Sequence, residues 1–243
     1  MAVIDPETKA AGGFRQHQLS LPVRLRDHAT LDNFLALPQA QPLIDALQAQ
    51  MQPGGEAVIY LYGPTGTGKS HLLQASCHVA AVETLYLPLA LLREYPPTEV
   101  LQGLDGLDRI CLDDIHAVLG DPAWELALFN LYNSARQQGC CLVVAADTAP
   151  RTLAVQLPDL RSRLSWGIVY QLVEGDDEDK ATILQFRAMR RGLSLSGGVA
   201  SFIVSRAPRA MDELLKVLDQ LDEASLAEQR ALSIPFVKQA LGW

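Results

Sequence analysis

Ala57-Val58-Ile59-Tyr60-Leu61-Tyr62-Gly63-Pro64-Thr65-Gly66-Thr67-Gly68-Lys69-Ser70 decides how this chain folds. The first six residues are a short apolar run rich in β-branched and aromatic side chains, with glycine on either side, and read as a buried strand. The next eight have the spacing G-x4-G-K-S. Gly63, Gly66 and Gly68 free the backbone to curl, so that successive N–H groups point at an anion. A helix starting near Lys69 turns the positive end of its dipole toward the same point. Pro64, Thr65 and Thr67 complete the loop, Lys69 would reach the β- and γ-phosphates, and the Ser70 hydroxyl would ligate Mg²⁺. The expected ligand is ADP or ATP with Mg²⁺.

Outward from this loop the same alternation repeats. Strands are expected over Thr84 to Leu89, Arg109 to Leu112, Cys140 to Ala146 and Ile168 to Leu172, with helices over Leu43 to Met51 and Trp124 to Gln137. Strands alternating with helices predict a parallel sheet covered on both faces. From Asp176 the pattern is helical only: Thr182 to Arg191, Gly198 to Arg206 and Met211 to Leu221 have amphipathic spacing, and Ser233 caps a last helix carrying Phe236, Val237 and Leu241. The expected architecture is an α/β nucleotide-binding core over 26–174 and a small helical lid over 175–243. The polar, aperiodic start makes 1–25 a flexible segment.

A nucleotide loop needs acids at the end of a neighbouring strand. Arg109-Ile110-Cys111-Leu112-Asp113-Asp114 supplies them: Asp113 would hold Mg²⁺ through water, and Asp114 would polarise an attacking water. Asp147 closes the run Cys140 to Ala146; it is either a turn residue before Pro150 or, if that strand lies between the other two, a group facing the γ-phosphate. Arg161 and Arg163 lie just before the last core strand. Read alone they are solvated surface charges, or an arginine that reaches a neighbouring subunit's nucleotide.

The formal net charge of −8 argues against wrapping a polyanion. Cys77, Cys111, Cys140 and Cys141 sit in apolar stretches without the spacing of a zinc or redox site and read as small buried hydrophobes in a reduced compartment. The amino end lacks the basic region of a signal peptide, and no apolar run approaches the ~20 residues that span a bilayer. A cytoplasmic location and no membrane contact are expected.

From about Gln18 to Trp243 the chain resembles the DnaA family of AAA+ proteins, and within it the shorter branch that inactivates the replication initiator DnaA. Ala29-Thr30-Leu31-Asp32-Asn33-Phe34 is similar to the segment that opens the family's core and flanks adenine. Gly63 to Ser70 and Ile110 to Asp114 match Walker A and B, Asp147 the sensor 1 position, and Asp159 to Gly167 the arginine-finger segment, with Arg163 as the finger acting in trans. Trp124 to Asn133 and Ile234 to Lys238 look like the regulatory branch. Where the initiator has a sensor 2 arginine, this chain places Asp212, with Arg209 one turn earlier. The helical lid fills the sequence to Trp243, so no helix-turn-helix and no sequence-specific DNA binding are expected. Gln18-Leu19-Ser20-Leu21-Pro22 is similar to peptides that dock on the DNA polymerase sliding clamp.

The resemblance therefore implies a negative regulator of replication initiation. It would be ADP-bound and clamp-tethered, stimulating hydrolysis of ATP held by DnaA rather than turning over ATP rapidly itself, and it admits a homo-oligomer. Two other readings stay open: an autonomous ATPase that loads a helicase, and a nucleotide-stabilised adaptor for the initiator.

Overall fold

In the computed structural model, which describes residues 25, 26, 28–79, 81–104 and 106–243, the run that opens the chain's logic is strand β1, Val58–Tyr62, beside the centre of a five-stranded sheet. The elements follow as α1 Gln41–Ala49, β1, α2 Lys69–Ser76, β2 Thr84–Pro88, α3 Leu89–Leu92, α4 Pro97–Val100, β3 Arg109–Asp113, α5 Pro122–Gln138, β4 Cys141–Ala146, α6 Pro158–Leu164 and β5 Ile168–Gln171. Four helices complete it: α7 Asp177–Arg190, α8 Gly197–Arg206, α9 Met211–Glu228 and α10 Ile234–Leu241. The segment Gln18 to Pro22 lies outside the described residues.

All neighbouring strands are parallel, in the order β2-β3-β4-β1-β5. Strand β4 thus lies between β3 and β1, with Ala146 opposite Tyr62 and Val144 opposite Leu112. This order brings the residues that follow β1, β3 and β4 out at one edge, the carboxyl edge at which parallel sheets bind ligands. Alternation along the strands builds two cores. Tyr60, Ile110, Leu112, Leu142 and Val144 pack with α5 and α6 on one face; Ile59, Leu61, Cys111, Val143 and Ala145 pack with α1 and α2 on the other. The lid closes a third core of its own around Leu184, Ile203, Leu214, Leu218 and Phe236. Each such side chain contributes about 1.5–3 kcal/mol on burial.

The differences from the sequence expectation have local causes. Leu89 opens helix α3 instead of ending β2. Helix α7 begins at Asp177, five residues ahead of Thr182, because Asp176 and Asp179 form a reciprocal cap. Helix α9 runs past Leu221 to Glu228, where Gln229 turns left-handed at φ 51° and stops it. Of the four cysteines, Cys111 and Cys140 are buried, whereas Cys77 and Cys141 are half-buried. Among the described residues no helix is long and apolar enough to cross a membrane.

Candidate functional site

The loop after β1 turns at Gly66 and Gly68, with φ of 85° and 91°, values open to glycine and strained for other residues. At Gly68 a Cβ would also sit 2.6 Å from the Phe34 ring. Lys69 begins α2 with its side chain folded back under the loop, donating to the Gly63 carbonyl at 2.7 Å and the Pro64 carbonyl at 2.8 Å. Burial lowers its pKa, and Asp114, Asp113 and Asp147, in that order, pull it back up. The Thr67 hydroxyl donates to the Pro64 carbonyl, closing the loop on itself.

The two acids after β3 are placed differently. Asp113 is buried and turned into the core, where its carboxylate accepts from the Tyr86 hydroxyl at 2.7 Å and from the Asp114 N–H at 3.1 Å. Asp114 takes left-handed backbone at φ 52° and reaches the cavity wall, where burial and then Asp113 raise its pKa. Asp147, after β4, lines the same wall, 3.7 Å from His116.

These groups form one end of a cavity of about 590 Å³. Its floor is the loop from Thr65 to His71, one side is the segment around Asn33 and Phe34, and the roof is the lid, through Ile183, Arg187, Met211 and Asp212. Phe34 and His71 pack with their rings tilted by 42° and centroids 5.5 Å apart, and a His71 ring nitrogen lies 2.9 Å from the Thr30 carbonyl. Burial pushes the His71 pKa down to about 4, so the ring is neutral where free histidine titrates. Arg187 of α7 donates to the Asn33 carbonyl at 2.9 Å and thereby ties lid to core. Met211 packs over Gly66, its backbone nitrogen 3.6 Å from where a Cβ would be. Asp212 faces the cavity; Arg209 points away, 3.6 Å from Asp177.

The glycine-curled loop with its lysine fits a polyphosphate. The acids fit a cation that takes few ligands from protein: Ser70, Asp114 and Asp147 reach the cavity, while Asp113 would act from behind. Among the described residues no group of three or more His, Cys, Asp or Glu is placed to hold a metal by itself.

A second feature lies outside the cavity. Arg163, on α6, donates to the Asn133 side-chain oxygen at 3.1 Å and stacks on the Trp166 ring at 3.9 Å, with Phe129 at 5.7 Å. Among the described residues no carboxylate pairs with it, so its charge is held by neutral groups. Arg161 instead donates to the Val155 carbonyl. The start of α6 is anchored by Glu125 of α5, 1% exposed, which accepts from the N–H groups of Gly120 at 2.9 Å, Gln156 at 3.0 Å and Leu157 at 2.6 Å. Glu125→Ala should leave those donors without a partner and cost about 3 kcal/mol. Urea unfolding measures it, and a loss below about 1 kcal/mol would show that water replaces the carboxylate.

Comparison with known proteins places this architecture. An uncharacterised protein of Haemophilus influenzae is 41% identical over 228 residues, covering 92% of this chain and 98% of its own length. The family described as Hda, lid domain, matches residues 177–241. Domain III of the Thermotoga maritima replication initiation protein DnaA superposes with a TM-score of 0.75 at 20% identity, covering 90% of this chain and 98% of that one. The chain has the AAA+ fold of DnaA, and its residues 177–241 belong to the Hda lid domain family. The fold extends to AMPPCP-bound DnaA from Aquifex aeolicus, TM-score 0.70 at 20% identity over 85% of this chain and 71% of that one. It also extends to the Thermotoga maritima RuvB Holliday junction branch migration motor, TM-score 0.65 at 17% identity over 88% and 71%.

The Hda lid match runs from α7 to α10, so Arg187, Met211 and Asp212 are lid residues on the cavity wall. Sequence reading did not single out Arg187, His71, His116 or Glu125. Two of them carry a signal: Arg187 and Glu125 are charges on buried helix faces, Arg187 sharing its face with Lys180, and a buried charge requires a partner. His71 and His116 carry none beyond their nearness to the two motifs.

Proposed function

We propose that this chain is a nucleotide-loaded regulator that switches off the initiator DnaA by lending Arg163 to the ATP site of DnaA. One observation carries the reading: Arg163 is positioned outside its own cavity by an amide and an aromatic face, with no acid among the described residues to neutralise it. A guanidinium held this way keeps its charge and its fork of donors for an anion on another molecule. The edge beside it suits a protein contact, since Trp166, just before β5, and Ile168 and Val169 on it are exposed.

In this reading the chain's own nucleotide is structural. The loop amides and Lys69 hold its phosphates, Asn33 and Phe34 border its base, and Arg187 and Met211 bring the lid onto both. Bound nucleotide and Mg²⁺ supply the charge that these residues organise, and ADP suffices for that role. The proposed lid is 175–243, the core 26–174 and the tether 1–25. Hydrolysis of DnaA-bound ATP, reconstituted with and without DNA-loaded clamp, tests the whole: stimulation that needs both this protein and clamp supports it. Rapid ATP turnover by the isolated chain would favour a helicase loader instead, and DnaA binding without stimulation an adaptor.

The tether is testable separately. Replacing Gln18 and Leu21 by Ala should abolish co-elution with sliding clamp while ADP binding is unchanged, because a tether raises effective concentration without touching the pocket. Co-elution by the double variant would place the docking site elsewhere.

A further inference from the structure

Arg163 shares its aromatic neighbour with a second arginine. Arg136, exposed near the end of α5, places its guanidinium 4.6 Å from the centre of the Trp166 ring, and Arg163 stands 3.9 Å from the same ring. Phe129, Asn133 and Arg136 follow at i, i+4 and i+7 on one face of α5, and each lies against Arg163 or Trp166. Trp166 is itself fixed. Its N–H donates to the Arg163 carbonyl at 3.0 Å, and the next residue, Gly167, runs so close to β1 that a Cβ would strike the Val58 carbonyl oxygen. Among the described residues neither arginine forms an ion pair, not even with Asp159, one turn before Arg163 on α6. An indole face attracts a cation without neutralising it. Two like charges are therefore held close together and unpaired in a chain of net charge −8.

We propose that Arg136 is a second phosphate-binding residue of this surface: Arg163 meets the phosphoryl group transferred from the partner's nucleotide, and Arg136 a phosphate away from the bond that breaks. The inference rests on the trans-acting reading of Arg163. A polyphosphate suits the pair because it offers several anionic groups in a row, one for each planar fork of donors. The two contacts differ in kind. In the hydrolysis, water adds to the terminal phosphorus, the bond to the bridging oxygen breaks with its electron pair going to ADP, and the water's proton leaves with the products. Charge shifts on the transferred group during that step, so Arg163 acts on the rate. A phosphate remote from the breaking bond carries the same charge before the step and within it, so Arg136 acts on binding.

The test is stimulation of DnaA-bound ATP hydrolysis by the full ADP-loaded chain on DNA-loaded clamp, followed against the concentration of this chain. Arg136→Ala should raise the half-saturating concentration roughly 10–100-fold and keep the maximal rate within about twofold. Arg136→Lys, which keeps the charge without the fork, should recover part of the loss. Binding under the same conditions identifies the anion. Arg136→Ala should weaken association with DnaA holding the non-hydrolysable AMPPCP by a similar factor, and should match the wild type on DnaA stripped of nucleotide. An equal loss on both forms overturns the proposal, because the anion is then a side chain of the partner. An unchanged half-saturating concentration overturns it too, as does a fall in maximal rate alone, which makes Arg136 a support for Trp166 and Arg163. Full stimulation by Arg163→Ala is a different failure: it removes the trans-acting reading, and this inference with it.

Discussion

Arg163→Ala is expected to leave a folded protein that binds nucleotide and clamp yet no longer accelerates hydrolysis of ATP held by DnaA. An arginine that neutralises transition-state charge in trans is worth about 10³–10⁵ in rate. The cost to this protein's own stability is small by comparison. The lost stacking on Trp166 and the hydrogen bond to Asn133 amount together to about 1–2 kcal/mol. Arg163→Lys sharpens the result: it keeps the charge but loses the planar fork, and should recover little of the stimulation. Arg161→Ala, two residues away from Arg163, is the control, since that guanidinium is spent on the Val155 carbonyl. A general electrostatic effect would weaken both alanine variants alike. If Arg163→Ala stimulates fully while melting like the wild type, trans-activation is wrong and the adaptor reading replaces it.

Lys69→Ala should lower ADP affinity by about 10²–10³-fold, the equivalent of about 3–4 kcal/mol, as expected for removing one partner of a buried charge pair. The ammonium lies under the loop on the Gly63 and Pro64 carbonyls, so phosphate binding needs only a short swing of a side chain already aimed there. Burial destabilises its charged form, which makes an incoming polyanion a strongly favoured partner. Calorimetry is the measurement. Unchanged ADP affinity would remove the loop from the binding site and with it the role of nucleotide in holding lid to core. Loss of binding with an unaltered urea midpoint separates a ligand effect from a folding one.

Much of this was open to reading in the chain alone, for reasons of local chemistry. The glycines at 66 and 68 are required by positive φ, and Lys69 by the charge the loop must meet. The strand run Arg109 to Leu112 is legible because all four residues are buried in a parallel sheet and therefore apolar, apart from Arg109. That arginine is buried too, donating to the Ser76 and Leu47 carbonyls. The cap at Ser233 is legible because its side chain accepts from the Phe236 N–H.

What tertiary structure decided is which of these pieces meet. Two adjacent aspartates look equivalent in sequence; packing turns Asp113 onto Tyr86 and leaves Asp114 on the cavity wall, because the left-handed turn at 114 reverses the side-chain direction. Asp147 faces the loop only because β4 inserts between β3 and β1, a crossover that no local pattern encodes. Arg187 and Asn33, 154 residues apart, are joined by the lid's placement over the amino-terminal segment. The same holds for Arg163 on Trp166 and Asn133. Sequence determines residue-by-residue preferences, which act over a few positions; contacts across the sheet and lid are set by how buried faces close on one another, and there the site acquired its geometry.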